Sequence, residues 1–85
     1  MDFTTLPCKP LHDGIQYTYK AENGFGASIV RHEFSYGNHS DLWELAVLDT
    51  NNKICYNTHI TNDVLGYLSE GDVNNILVQI SHLNQ

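Results

Sequence analysis

Histidines and cysteines are the residues with which this chain could bind a transition metal. Its five histidines are spread along the sequence: His12, His32, His39, His59 and His82. Zinc sites usually draw on tightly spaced ligands, such as Cys-x2-Cys or two histidines three to five positions apart. No such pair occurs, although His32, His39 and Asp41 could converge around one loop. The spacing favours surface and loop histidines, and we expect no metal and no cofactor.

Nucleophilic catalysis is a second chemistry to weigh, with Cys8 or Cys55 as the nucleophile and His59 as the base. No nucleophile-elbow glycines surround either cysteine. Cys55 lies in a predicted strand and is typical of a small core residue. A catalytic pair of carboxylates could come from among Glu33, Asp41 and Glu44. Scattered acids at solvated turns explain these residues equally well. We therefore predict free thiols and no enzyme activity, and keep a small metal- or thiol-dependent enzyme as the last alternative.

Aromatic residues are the most informative surface candidates. Tyr67 and the six residues of the candidate protein interface make seven aromatic side chains, which are more than the apolar stripe of one helix can cover. Tyrosine and tryptophan are favoured anchors in protein interfaces. The candidate protein interface consists of Tyr17, Tyr19, Phe34, Tyr36, Trp43 and Tyr56. The alternative is core packing, with some tyrosines at the rim of the core.

Residues 42–48 form the densest apolar run, contain the only tryptophan, and are predicted to be a strand. One face carries Trp43, Leu45 and Val47, and the other carries Leu42, Glu44, Ala46 and Leu48. Neither face is cleanly polar, which indicates a central strand covered on both sides. A helix would cover one side, and the N-terminal arm, a long loop or a second subunit the other. Asn51 and Asn52 suit a hairpin turn, with residues 53–56 as the return strand.

Residues 15–21 alternate apolar and polar side chains, and a turn containing Asn23 and Gly24 follows. A two-residue loop would place Tyr19 opposite Ser28. A three-residue loop at 22–24, with Gly24 left-handed, places Tyr19 opposite Ala27 and keeps every apolar residue on one face. We favour the three-residue loop with a bulge. Because Gly24 and Gly26 lie between two strands and open no helix, they are not a phosphate cradle.

The remaining segments complete the predicted fold. Residues 1–14 contain Pro7 and Pro10 and are predicted to be an extended arm. Residues 64–68 are either one helical turn or an irregular crossing. Residues 69–83 are predicted to be a helix, with a capping box from Ser69 to Asp72 and one apolar stripe. The fold class is α+β: one domain, 1–85, with an antiparallel sheet of three to four strands (a β-hairpin, then a second hairpin) over 15–57 and the C-terminal helix on one face.

Charge and hydropathy argue against a nucleic-acid partner and against a membrane span. Ten acids against four bases give a formal net charge of −6, and the bases form no patch that would neutralise phosphates. We therefore expect no nucleic-acid partner. There is no apolar run of about 18 residues, so we expect no membrane span. Residues 1–5 lack the basic and apolar regions of a signal peptide, which predicts a cytoplasmic location.

Four passages resemble small proteins encoded by tailed bacteriophages and prophages: NGFGASIVRH (23–32), SYG (35–37), LWELAVL (42–48) and ITNDVLGYLS (60–69). The resemblance spans residues 15–83. It implies expression in a host bacterial cytoplasm and often a partner among host proteins, and it carries over no catalytic or binding residue. We expect a small non-enzymatic accessory protein that binds another protein and so inhibits or modulates a host factor. The alternative is a structural homo-oligomer, such as a homodimer through the two-sided central strand.

Overall fold

The computed structural model describes residues 2–32, 42–55 and 64–83. A 3₁₀ turn, Phe3–Thr5, precedes five strands and one helix. These are β1 (Cys8–Leu11), β2 (Gly14–Lys20), β3 (Gly26–Arg31), β4 (Trp43–Leu48), β5 (Leu65–Leu68) and α1 (Glu70–Ser81). The strands form one antiparallel sheet in the order β1-β2-β3-β4-β5. The predicted α+β class and the C-terminal helix are confirmed, but three to four strands was wrong, because the sheet has five.

The first hairpin has the predicted register. Tyr17 pairs with Ile29 and Tyr19 with Ala27. Gly24 has φ 94°, and the amide of Ala21 donates to the carbonyl of Phe25 across the loop at 2.8 Å. The three-residue loop with a left-handed glycine is therefore confirmed.

Both additional strands lie at the edges of the sheet. The predicted N-terminal arm contains β1, which pairs with β2 through Cys8 opposite Tyr17 and Pro10 opposite Ile15. Proline has no N–H to donate to a ladder, but an edge strand leaves half of its amides unpaired, so β1 tolerates it. At the other edge, β5 replaces the expected helical turn or irregular crossing at 64–68.

The second hairpin was predicted correctly at its turn and only partly in its return strand. Asn52 is left-handed with φ 63°, and its amide donates to the carbonyl of Asp49 at 3.0 Å. The return segment makes an isolated bridge from Ile54 to Leu48, and the amide of Cys55 donates to the carbonyl of Val47 at 2.7 Å. Two segments therefore pair with the outer edge of β4: the return segment at Val47 and Leu48, and β5 at Trp43 and Leu45.

Helix α1 covers the face of β4 that carries the tryptophan. The main cluster of buried residues unites β2, β3, β4, α1 and the 3₁₀ turn, and includes Phe3, Trp43, Leu45, Val47, Val73, Leu77 and Ile80. The N-terminal arm also contributes to this face, because Phe3 is fully buried there. The predicted capping box is present, since the amide of Asp72 donates to Ser69 Oγ and the amide of Ser69 donates to Asp72 Oδ2.

Candidate protein interface

The structure places the predicted interface aromatics differently from one another. Trp43 and Tyr19 are in the core, with 4% and 8% of their surface exposed, and Tyr17 is half-buried against it. Their burial matches the core-packing alternative. The other three candidates, Phe34, Tyr36 and Tyr56, lie outside the described residues, so their place in an interface stays a prediction.

Trp43 is the centre of an aromatic cluster that the chain closes with its own residues. The ring centroid of Phe3 lies 5.0 Å from that of Trp43 and 5.3 Å from that of Tyr17, both in edge-to-face geometry. The guanidinium carbon of Arg31 lies 4.4 Å from the centre of the Trp43 ring, within the range of a cation–π interaction. Two of the predicted interface residues, Tyr17 and Trp43, are therefore used in packing within the chain.

Within the part of the chain that the structure describes, Tyr67 is the aromatic residue that is mostly exposed. It is 65% exposed and lies in the edge strand β5. Leu65 pairs with Leu45 and Leu68 with Trp43, so β5 advances three residues while β4 advances two. The extra residue defines a β-bulge, and Tyr67 within it has φ 56°. A bulky residue in this left-handed region is uncommon and strained, and here the pairings on both sides of the bulge hold it in place.

Both edges of the sheet are poorly suited to pairing with another strand. In β1, Pro10 lacks an amide donor, and Lys9 places a charge beside it. In β5, the bulge interrupts the regular ladder between Leu65 and Leu68. A partner that approaches β5 would therefore meet side chains, above all Tyr67, rather than a continuous row of backbone donors and acceptors.

From residue 54 onward, the charged side chains of the sequence have one sign. Residues 54–85 contain no Lys or Arg, and their acids are Asp63, Glu70 and Asp72. Glu70 and Asp72 are exposed in the first turn of α1, directly after β5. A partner that contacts the first turn of α1 would therefore meet exposed carboxylates.

Two other carboxyl groups have altered pKa values, and both stabilise turns. Hydrogen bonds from the side chain and the amide of Thr4 lower the pKa of Asp2. Hydrogen bonds from the amides of Lys53 and Asn51 lower the pKa of Asp49. Each carboxylate accepts hydrogen bonds that fix a local chain reversal, so these shifts have a structural cause and do not mark a catalytic group.

The residues considered for catalysis or metal binding are not brought into one site. Cys8 is exposed on β1, Cys55 is a buried core residue, as predicted, and the two cysteines are not joined by a disulfide. Across 2–32, 42–55 and 64–83, no three His, Cys, Asp or Glu side chains gather closely enough to hold a metal ion. The rings of His12 and His32 pack edge to face, with centroids 4.8 Å apart. Four residues from the other constellations lie outside the described ranges: Glu33, His39, Asp41 and His59.

Sequence reasoning placed Tyr67 among the surplus aromatics but left it out of the candidate interface. Its segment, 64–68, was predicted to be one helical turn or an irregular crossing, and the three-residue spacing of Leu65 and Leu68 is that of a helical turn. Gly66, directly before Tyr67, was the available signal, because an isolated glycine in a strand often marks a bulge.

No protein-family model, curated protein or solved structure matches this chain. Among the described residues, the helices are too short and too polar to cross a bilayer. A functional argument therefore depends on the geometry of the chain itself, and the setting of Tyr67 is its most distinctive exposed feature.

Proposed function

We propose that this chain is a small, non-enzymatic accessory protein that binds another protein and uses Tyr67 as an anchor. The observation that carries the proposal is the exposed ring of Tyr67, presented by a bulge at the edge of the sheet. Tyrosine is among the residues most enriched at binding hot spots, because it combines a large apolar area with one hydroxyl group.

The backbone of Tyr67 supports a binding role in a second way. A left-handed conformation costs a non-glycine residue about 1–3 kcal/mol, whereas glycine adopts it without strain. A residue chosen for stability alone at φ 56° would be glycine or asparagine. A tyrosine at this position instead places a rigid ring in solvent, where a partner can bind it with little further loss of conformational freedom.

The expected partner is a protein with an apolar pocket and a basic rim. The pocket would bury the Tyr67 ring, and the rim would complement Glu70 and Asp72, which are exposed as the first and third residues of helix α1. Because no Lys or Arg follows Lys53, this part of the chain offers no positive charge that would repel such a rim.

The resemblance to tailed-bacteriophage and prophage proteins supports a place of action in a host bacterial cytoplasm. It favours a host protein as the partner, which the chain would inhibit or modulate. It is carried by four passages, and one of them, residues 60–69, contains Tyr67.

Retention of bacterial proteins by the immobilised chain tests the proposal. We expect the wild-type chain to retain a protein with a basic surface, and the variant Tyr67→Phe to retain it too. Tyr67→Asn should fold, because asparagine tolerates a left-handed backbone, yet bind about 30-fold more weakly, as for a hot spot worth about 2 kcal/mol. Affinities of the recovered partner for each variant, measured by titration, give the comparison.

The matched control is Val78→Ala, which removes another exposed apolar side chain, on helix α1 (43% exposed). It should leave the affinity unchanged. Equal binding by the wild type and Tyr67→Asn would exclude Tyr67 as the anchor, and retention of no protein above background would argue against a binding role. If sedimentation showed a dimer at micromolar concentration that Tyr67→Asn dissociates, the structural homo-oligomer would replace the host partner.

A further inference from the structure

Asn23, in the turn between β2 and β3, is the only asparagine of the sequence that is followed by glycine. An Asn-Gly pair is especially prone to deamidation, because the glycine has no side chain to hinder the approach of its backbone nitrogen to the side-chain amide before it. The first hairpin therefore contains a reactive dipeptide at the point where its loop meets the rest of the fold.

Deamidation consumes one water molecule and releases one molecule of ammonia. The backbone nitrogen of Gly24, after losing its proton to a base in solution, attacks Cγ of Asn23. A bond forms between these two atoms, the bond from Cγ to Nδ2 breaks, and Nδ2 leaves as ammonia with a proton returned by the solvent. Water then opens the succinimide ring at either carbonyl, which leaves aspartate or isoaspartate at position 23. The reaction needs no oxidant and no reductant.

Hydrogen bonds hold both reacting groups in the folded chain. The amide of Gly24, which must lose its proton, donates to the carbonyl of Ala21 at 3.1 Å. The leaving nitrogen, Nδ2 of Asn23, donates to the carbonyls of Ile80 and Leu83, each at 2.9 Å. Because the nucleophile keeps its proton and the leaving group is fixed to α1, ring closure is opposed as long as the end of α1 stays on the hairpin.

Neither product fits the contacts that the asparagine makes. Aspartate has no Nδ2 donor, so a carboxylate oxygen would face the carbonyl oxygens of Ile80 and Leu83. The C-terminal end of a helix carries partial negative charge and has carbonyls that need donors, so a carboxylate is unfavourable there. Isoaspartate also adds a carbon atom to the backbone of the loop that sets Tyr19 opposite Ala27. Either product therefore weakens the docking of α1 on the hairpin.

We propose that Asn23 is a hydrolytic modification site that the docked end of α1 keeps closed. When the helix end opens, Asn23 and Gly24 can react, and the acid that results hinders the return of the helix. Deamidation would thus mark chains that have opened and limit their lifetime irreversibly. The same side chain supplies the protecting contacts and suffers the modification. The site is independent of Tyr67 and of the proposed protein partner.

Peptide mapping of the full chain by mass spectrometry tests the proposal. The protein is kept at pH 8 and 37 °C, in buffer or in 8 M urea, and the fraction of aspartate and isoaspartate at position 23 is followed over time. We expect the reaction to be at least about 10-fold slower in buffer, because only the opened molecules react. A synthetic peptide of residues 18–28, which lacks α1, should react at similar rates in both solutions.

Two variants on the C-terminal segment test whether the helix end protects Asn23. Leu83 is 8% exposed and packs in the core, so Leu83→Ala should open the helix end more often. Deamidation in buffer should then be about 5-fold faster or more, approaching the rate in urea. The matched control Val78→Ala truncates a side chain that is 43% exposed, and it should leave the rate in buffer unchanged.

The variant Asn23→Asp stands for one product of the reaction. Its Tm should lie about 8 °C or more below that of the wild type. It should also lie below the Tm of Asn23→Ala, because the carboxylate adds a charge beside the helix carbonyls whereas alanine only removes the donor.

Four outcomes would overturn the proposal. They are equal rates of deamidation at Asn23 in buffer and in urea, a faster reaction at another asparagine in urea, an unchanged rate in Leu83→Ala, and a Tm of Asn23→Asp equal to that of the wild type.

Discussion

Asn23 is the residue that links the first hairpin to the end of helix α1. Its Nδ2 donates to the carbonyls of Ile80 and Leu83, each at 2.9 Å, and its Oδ1 accepts from the amide of Phe25 at 2.9 Å. The last carbonyls of a helix have no partner within the helix and need one elsewhere. One side chain therefore shapes the loop and caps the helix, although the sequence indicates only its role in the turn.

Replacing Asn23 by alanine should lower the free energy of unfolding by about 1–3 kcal/mol, because two helix-end carbonyls lose a partly buried donor. Urea denaturation followed by circular dichroism measures the loss. Asn75→Ala, on the exposed side of α1, is the control and should be neutral or slightly stabilising, because alanine favours the helix. Equal stabilities of the two variants would show that the interaction of Asn23 with α1 contributes nothing.

At the scale of elements, the first hairpin and the helix were predicted from local sequence patterns, and the structure has the pairing and the cap that those patterns indicate. The register of β2 and β3 followed from placing Tyr17, Tyr19 and their partners on one face, which is a local constraint. The capping box and apolar stripe of α1 were equally local. By contrast, β5 is defined by its pairing with β4, and its bulge gives Leu65 and Leu68 a helix-like spacing.

The candidate interface was less predictable, because it depends on which side chains bury each aromatic residue in the folded chain. Because one helix cannot bury all of the aromatic side chains, Trp43 and Tyr17 were assigned to the candidate interface. In the structure, Phe3 and Arg31 complete the cover, and both are distant from Trp43 in sequence. Long-range burial of this kind leaves no local pattern, and the exposure of Tyr67 likewise follows only from the edge position of β5.

The turn after β4 should make stability depend on pH. Hydrogen bonds from the amides of Lys53 and Asn51 lower the pKa of Asp49 below that of the unfolded chain, where the ordinary value is 3.8. The stabilisation is therefore fully present above about pH 4 and is lost as the pH falls through the lower folded-state pKa. The difference in unfolding free energy between the wild type and Asp49→Asn should shrink below pH 4, as measured by urea denaturation from pH 2 to 7. A constant difference would contradict the assignment.

At the scale of the whole molecule, Phe3 joins the beginning of the chain to its last helix. Its ring is fully buried, and its amide donates to Asn74 Oδ1 at 2.9 Å, across 71 positions in the sequence. It contacts Trp43 and Tyr17 as well. Helix, sheet and N-terminal turn are therefore held together at one residue, through its amide and its ring.

Phe3→Ala should cost about 3–5 kcal/mol, the usual range for truncating a fully buried phenylalanine. That is a large share of the roughly 5–15 kcal/mol by which small domains are stable, so the Tm should fall steeply. Leu6→Ala, at a half-buried position of the same segment, should cost clearly less. Thermal and urea unfolding of both variants measure the difference, and a cost below about 1 kcal/mol for Phe3→Ala would contradict the structure.

The position of Phe3 also has a consequence for how the protein is made. The site that receives its ring includes contributions from β2, β4 and α1, so it is incomplete until residue 74 has been synthesised. At about 5–20 residues per second, the separation of 71 positions between Phe3 and Asn74 takes about 4–14 s of translation. During that time the ring of Phe3 lacks the part of its native surroundings that α1 provides, and chaperones that bind nascent chains can reach it. We expect the native fold to form in one late step, once α1 has left the ribosome, and not strand by strand as each segment emerges.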